Sequence, residues 1–95
     1  MGKNIVALFE LGQIVATPGA NAALMEADQD PLELIQRHVT GDWAELDEDD
    51  RAENRFSITR DLRILSAYTL GTGVKVWIIT EADRSATTIL LPSEY

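Results

Sequence analysis

The sequence predicts an α+β domain: an N-terminal strand or pair of strands and two or three short helices, packed on a C-terminal three-stranded antiparallel meander. Three observations lead there. Two helix-start signals, Thr17-Pro18-Gly19 and Asp30-Pro31-Leu32-Glu33, fall in the first half of the chain. The last third instead alternates β-branched and aromatic segments with short polar joints. The chain has 95 residues, 45% of them hydrophobic, enough for one core and too few for a second, so residues 1–95 read as a single compact domain.

At the N-terminus, Ile5–Phe9 is a continuous apolar run and Ile14–Ala16 a shorter one, both favouring extended structure. Glu10-Leu11-Gly12-Gln13 between them reads either as a turn joining two strands or as a kink within one. Thr17 can accept from the orphan N–H groups of a helix and Pro18 needs no donor at its first position, so Ala20–Ala27 follows as a helix. Asp30, Pro31 and Glu33 combine an N-cap acid, a first-position proline and a third-position Glu, and start a second helix that runs to about Val39. Leu32, Ile35 and Val39 fall at i, i+3 and i+7 and form its buried stripe, and Gly41 supplies the left-handed residue after its end. Asp47 caps a third short helix, roughly 48–54, with Asp49 and Asp50 in its first turn and Phe56 and Ile58 anchoring the exit.

Leu62–Thr69, Val74–Thr80 and Ala86–Leu91 are the three strands of the meander, joined by Gly71-Thr72-Gly73 and by Glu81-Ala82-Asp83-Arg84-Ser85. Val74, Val76 and Ile78 point one way and Lys75, Trp77 and Ile79 the other, so both faces need cover. The helices are expected on one face, with Trp77 near the other as a candidate interface residue.

Composition narrows the chemistry. The chain contains no Cys, which removes disulfides and cysteine-ligated metals, and His38 is its sole imidazole. The longest uncharged run, Leu11–Met25, is 15 residues long and too polar to span a bilayer. Glu10 interrupts the apolar stretch after Lys3 before a signal-peptide core could form, so a cytoplasmic location is expected. Of the net charge of −8, residues 1–53 carry −9 and residues 54–95 carry +1. Such an N-terminal half repels phosphates, and the short helix–turn–helix lacks the Lys/Arg of a DNA reader. Direct nucleic-acid binding is not expected; attraction to a basic protein surface is.

His38 and Asp42, with Glu81 or Asp83 as a third member, have the residue types of an acid–base pair. A single His at a helix end, however, more often caps a carbonyl or packs on an aromatic such as Trp43. The acids after Asp42 do not form an EF-hand: counting from Asp47, the sixth position is Ala52 rather than Gly and the twelfth is Ile58 rather than Glu. No metal or cofactor is expected. Gly71-Thr72-Gly73 precedes a strand rather than a helix, which makes it a hairpin turn and not a phosphate loop. Trp43 either folds back over Leu32 and Ile35 as core or anchors a partner beside the acids. The tip Glu81, Asp83, Arg84 is either a self-contained turn or a recognition point.

Leu11-Gly12-Gln13-Ile14-Val15-Ala16-Thr17-Pro18-Gly19-Ala20, Arg37-His38-Val39-Thr40-Gly41-Asp42-Trp43, Arg63-Ile64-Leu65-Ser66-Ala67-Tyr68 and Trp77-Ile78-Ile79-Thr80-Glu81-Ala82-Asp83-Arg84-Ser85 resemble a family of small proteins carried on plasmids and integrative elements. Such proteins are grouped as plasmid-related, sometimes with a restriction–modification label. A methyltransferase is excluded here by length and by the missing Gly-rich loop after a strand. The resemblance implies a mobile-element setting and no mechanism. With the charge split, it leads to one expected function: a small acidic protein-binding module, in its concrete form an inhibitor that occupies the nucleic-acid groove of a host defence nuclease. Its partner-binding residues would be Trp43, Asp47, Glu48, Asp49, Asp50, Glu53, Glu81, Asp83 and Arg84. Two alternatives stand beside it: a small hydrolase or nuclease using His38 with Asp42 and Asp83, and a homo-oligomeric structural or regulatory subunit, most simply a homodimer through the sheet edge or Trp77.

Overall fold

The computed structural model describes residues 6–95. Its element order is β1 (Gln13–Ala16), α1 (Pro18–Ala27), α2 (Pro31–Thr40), α3 (Glu48–Arg60), β2 (Ile64–Thr69), β3 (Lys75–Thr80) and β4 (Ala86–Leu90), closed by a 3₁₀ turn at Pro92–Glu94. The expected α+β architecture of an N-terminal strand, three short helices and a C-terminal sheet is present. Local capping explains each helix boundary. Thr17 accepts from the Ala20 N–H, Asp30 from Leu32 and Asp47 from Asp50, so each helix starts with a side chain satisfying an orphan donor. Gly41 ends α2 at φ +88°, and the Asp42 N–H turns back onto the Arg37 carbonyl at 2.9 Å.

Two expectations about the helices need correction. The buried stripe of α2 is Leu34, Ile35, His38 and Val39, while Leu32 is 61% exposed. At 100° per residue Leu32 lies about 90° from the centre of that stripe, and it occupies the first turn, where the core does not reach. Helix α3 extends to Arg60 rather than stopping near residue 54, because nothing in Arg55–Thr59 breaks a helix and the left-handed residue comes only at Asp61. Ile58 packs inward from this extension, whereas Phe56 is exposed under the Arg60 guanidinium.

The sheet has the order β1-β4-β3-β2, with β1 parallel to β4 and the other pairs antiparallel. Residues Ile64, Ser66 and Tyr68 of β2 lie in register with Thr80, Ile78 and Val76 of β3, and Ile89 and Thr87 of β4 continue the row. This face packs on Ala20, Leu24, Leu34 and Ile35 to form the main core. Each fully buried Leu or Ile there contributes roughly 2 kcal/mol. The opposite face carries Ala67, Trp77, Ile79 and Leu90; Trp77 is half-buried and meets the Tyr95 ring edge-on at 5.7 Å. A second cluster of Trp43, Leu46, Ile64 and Ala67, with Ile58 and Phe9 against it, joins α3 to the end of the sheet.

Val6–Phe9 is not a strand; Ile5 lies outside the described residues. The Leu8 N–H donates to the Val39 carbonyl at 2.9 Å and the Phe9 ring meets the His38 ring edge-on at 5.2 Å, so this run covers the end of α2. The turn at Gly12 redirects the chain. Its φ is +64°, and a Cβ there would lie 2.3 Å from the Ser85 carbonyl group, a position only glycine can take.

The two edges of the sheet differ. On β2, the Asn54 side chain accepts from the Leu65 N–H at 3.2 Å and donates to its carbonyl at 2.7 Å, while Glu45 accepts from the N–H and hydroxyl of Thr69. That edge is therefore plugged at its two ends by side chains from α3 and the loop before it.

Candidate functional site

His38 lies fully buried where α2 crosses the sheet. Its Nε2 is 2.8 Å from Thr80 Oγ1, Thr80 is 2.8 Å from Thr87 Oγ1, and Thr87 donates to the Leu11 carbonyl at 2.7 Å. A carbonyl only accepts, which sets the direction of every bond in the chain. Thr87 spends its proton on Leu11, so Thr80 donates to Thr87, Nε2–H donates to Thr80, and Nδ1 is left to accept from the Ser66 hydroxyl beside it. The imidazole is neutral in the Nε2–H form. Burial lowers its pKa from 6.5 to about 3, because a cation there would exchange water for a low-dielectric site.

Both ring nitrogens are thus occupied by hydroxyls, and neither faces a carboxylate. Asp42 instead pairs with Arg37 at 2.8 Å, and Asp83 accepts from the Ser85 N–H at 3.0 Å within its own turn. The Ser85 hydroxyl and N–H hold the Asp83 carboxyl below its usual range. The three residues of the hydrolase reading are each engaged elsewhere. Among the described residues, no three His, Asp or Glu side chains gather as a metal-binding group.

The residues of the binding reading divide into three sets. Trp43 and Arg84 are structural. The Trp43 indole is 3% exposed and donates to the His38 carbonyl at 2.9 Å, so it is core and does not reach a partner. Arg84, held at φ +60°, donates to the carbonyls of Leu62 at 2.7 Å and Ser57 at 3.1 Å, and so clamps the β3–β4 hairpin to the end of α3. Asp47 and Glu48 are exposed but locally engaged: Asp47 caps α3, and Glu48 bridges Arg51 and Arg55, each at 3.0 Å. Those two guanidiniums, Arg51 first, hold the Glu48 carboxyl below its ordinary value. Asp49, Asp50 and Glu53 remain exposed on the first turns of α3 with no arginine partner among the described residues.

Asp50 and Glu53, with Leu46, Asn54, Arg63 and Leu65, border a small hollow of about 110 Å³. Arg63 also borders a larger one of about 380 Å³, whose floor is Ile79, Thr88 and Leu90 and whose walls are Glu81, Glu94 and Tyr95. The Arg63 guanidinium lies 3.6 Å from Glu81 and donates to the Tyr95 hydroxyl at 2.8 Å. Glu81 therefore joins the α3 acids through one shared arginine. Arg63, Glu94 and Tyr95 escape a reading of the sequence, because residues 53, 63, 81 and 94 share no local pattern. Glu94 is fixed by the Thr17 hydroxyl, which holds its carboxyl low, and by the N–H groups of Gly19 and Leu91 at 3.1 and 2.8 Å.

Comparison with family models, curated proteins and solved structures gives no match. Among the described residues, no helix is long and apolar enough to cross a membrane.

Proposed function

We propose that the protein acts by binding, using an acidic surface on the sheet and α3 side to dock on a basic protein surface. The observation that carries this reading is continuity: two hollows share Arg63, so Asp50 and Glu53 of α3 and Glu81 and Glu94 of the sheet border one surface with an apolar floor. The exposed carboxylates of Asp49, Asp50 and Glu53, beside the exposed Arg63 and Tyr95, suit a partner that presents Lys or Arg side chains. In the mobile-element setting that the sequence resemblance implies, the partner is a nucleic-acid-processing defence protein, and docking fills the groove that its substrate would occupy. The alternative hydrolase reading has no converging constellation behind it, since His38, Asp42 and Asp83 each have other partners.

The test is capture from host lysate with the wild type and with a variant carrying Asp49→Asn, Asp50→Asn and Glu53→Gln. A basic protein retained by the wild type, released by salt and lost from the variant supports the proposal. Equal retention by both, insensitive to salt, overturns it.

A further inference from the structure

The edges of the sheet are treated differently, and the difference points to a partner. Gln13 N–H donates to the Ser85 carbonyl and Thr17 N–H to that of Ile89, so the odd-numbered residues of β1 face β4. The N–H and C=O groups of Ile14 and Ala16 therefore face outward, and among the described residues no group bonds them. At the other edge, Asn54 occupies the N–H and C=O of Leu65 and Glu45 the N–H of Thr69, which leaves only the Ala67 groups between them. Natural sheets blunt an edge with charge, proline or a covering element. β1 is short, at four residues, but has none of these: Gln13-Ile14-Val15-Ala16 is uncharged, and Ile14 and Val15 are 42% and 39% exposed.

We infer that β1 is a self-pairing edge, and that a second copy of this chain adds its own β1 antiparallel to it, making one eight-stranded sheet across a two-fold axis. Charge selects this occupant's route of approach. Each copy carries −8, yet Gln13–Ala16 and the following residues to Met25 contain no charged side chain, so the ladder itself places no like charges opposite one another. Glu10 and Glu94 flank the strand, Glu94 held to its own chain by Thr17, Gly19 and Leu91, and theirs are the like charges that salt must screen. With Ile14 on the axis, its N–H and C=O exchange with the same groups of the other copy, an isologous contact. Because the contact is isologous and each copy has one β1 edge, pairing closes at two copies and does not propagate into a filament. Four residues make a short ladder, so the dimer is weak and forms at high protein concentration.

Sedimentation equilibrium on the purified protein tests this, alongside Ile14→Lys, which places like charges on the axis, and Ile14→Pro, which deletes an outward N–H without touching the β4 ladder. The wild-type mass is expected to rise towards twice the monomer with concentration and to rise further with added salt, which screens the two −8 copies. Both variants are expected to stay monomeric. This salt response is opposite in sign to that of docking on a basic partner, so the two proposals fail separately. Hydrogen exchange on the wild type provides a reading that needs no variant: protection of the Ile14 amide should grow with concentration, while the Val15 amide is protected throughout. A monomer at every concentration, or a dimer indifferent to both Ile14 variants, overturns the inference.

Discussion

Mild acid should destabilise this protein through one residue. In the unfolded chain His38 titrates at its ordinary 6.5, while in the fold burial lowers it to about 3. Between those values the unfolded chain holds a proton that the folded one does not, so stability is complete above 6.5 and falls as pH drops, by about 1.4 kcal/mol per unit. From pH 7 to pH 5 the loss is about 2 kcal/mol, a large fraction of the roughly 5–15 kcal/mol that holds a domain of this size. The carboxyls of Glu48, Asp83 and Glu94 are lowered below their ordinary values, so their contributions disappear only at more acidic pH and leave this window to His38. The assay is urea unfolding at a series of pH values, for the wild type and for His38→Gln. The variant should be less stable at neutral pH, because a shorter amide cannot hold both Ser66 and Thr80, yet its stability should stay nearly flat across the same window. A flat wild-type profile, or an equal slope in the variant, would refute the argument that a neutral imidazole is locked into this hydroxyl chain.

Two further perturbations probe the packing. Asn54→Ala strands the N–H and carbonyl of Leu65 at the β2 edge and should cost about 2 kcal/mol, read as a lower urea midpoint, with edge-to-edge aggregation appearing on concentration. Gly12→Ala forces a Cβ into the Ser85 backbone at a positive φ and should lower stability by more than about 2 kcal/mol in thermal unfolding; an unchanged midpoint would mean that the turn is not as tight as described.

Much of the fold is legible because its signals are local. Asp30-Pro31-Leu32-Glu33 announces a helix start from four adjacent residues, Gly41 announces its end, and the three C-terminal strands are separated by turn residues. The misreadings concern choices made by distant groups. Nothing in Val6–Phe9 says that its N–H groups meet the end of α2 rather than a strand, and nothing in Gln13–Ala16 names β4 as its parallel neighbour. Ile35 and Val39 belong to the buried stripe of α2 that their spacing predicts, whereas Leu32 shares the apolar spacing but sits beyond the reach of the core. His38 looks like half of a catalytic pair in sequence; its real partners are Ser66 and Thr80, with Thr87 bonded behind Thr80, and the three hydroxyls come from three different strands. The acids of α3 were recognisable as exposed, but the arginine that joins them to the sheet lies on the far side of the helix in sequence.

The pairing of β1 with β4 also sets an order of assembly. As the ribosome extends the chain, β1 is made before α1–α3, β2 and β3, but its neighbour is not complete until Leu90 has been added. Helices α1–α3 and the β2–β3 hairpin can form from contacts between nearby residues, whereas the parallel ladder must wait for the longest loop closure in the molecule. Until then Ile14 and Val15 are bare on both sides, so the nascent chain passes through an interval in which the earliest of these four strands is the stickiest.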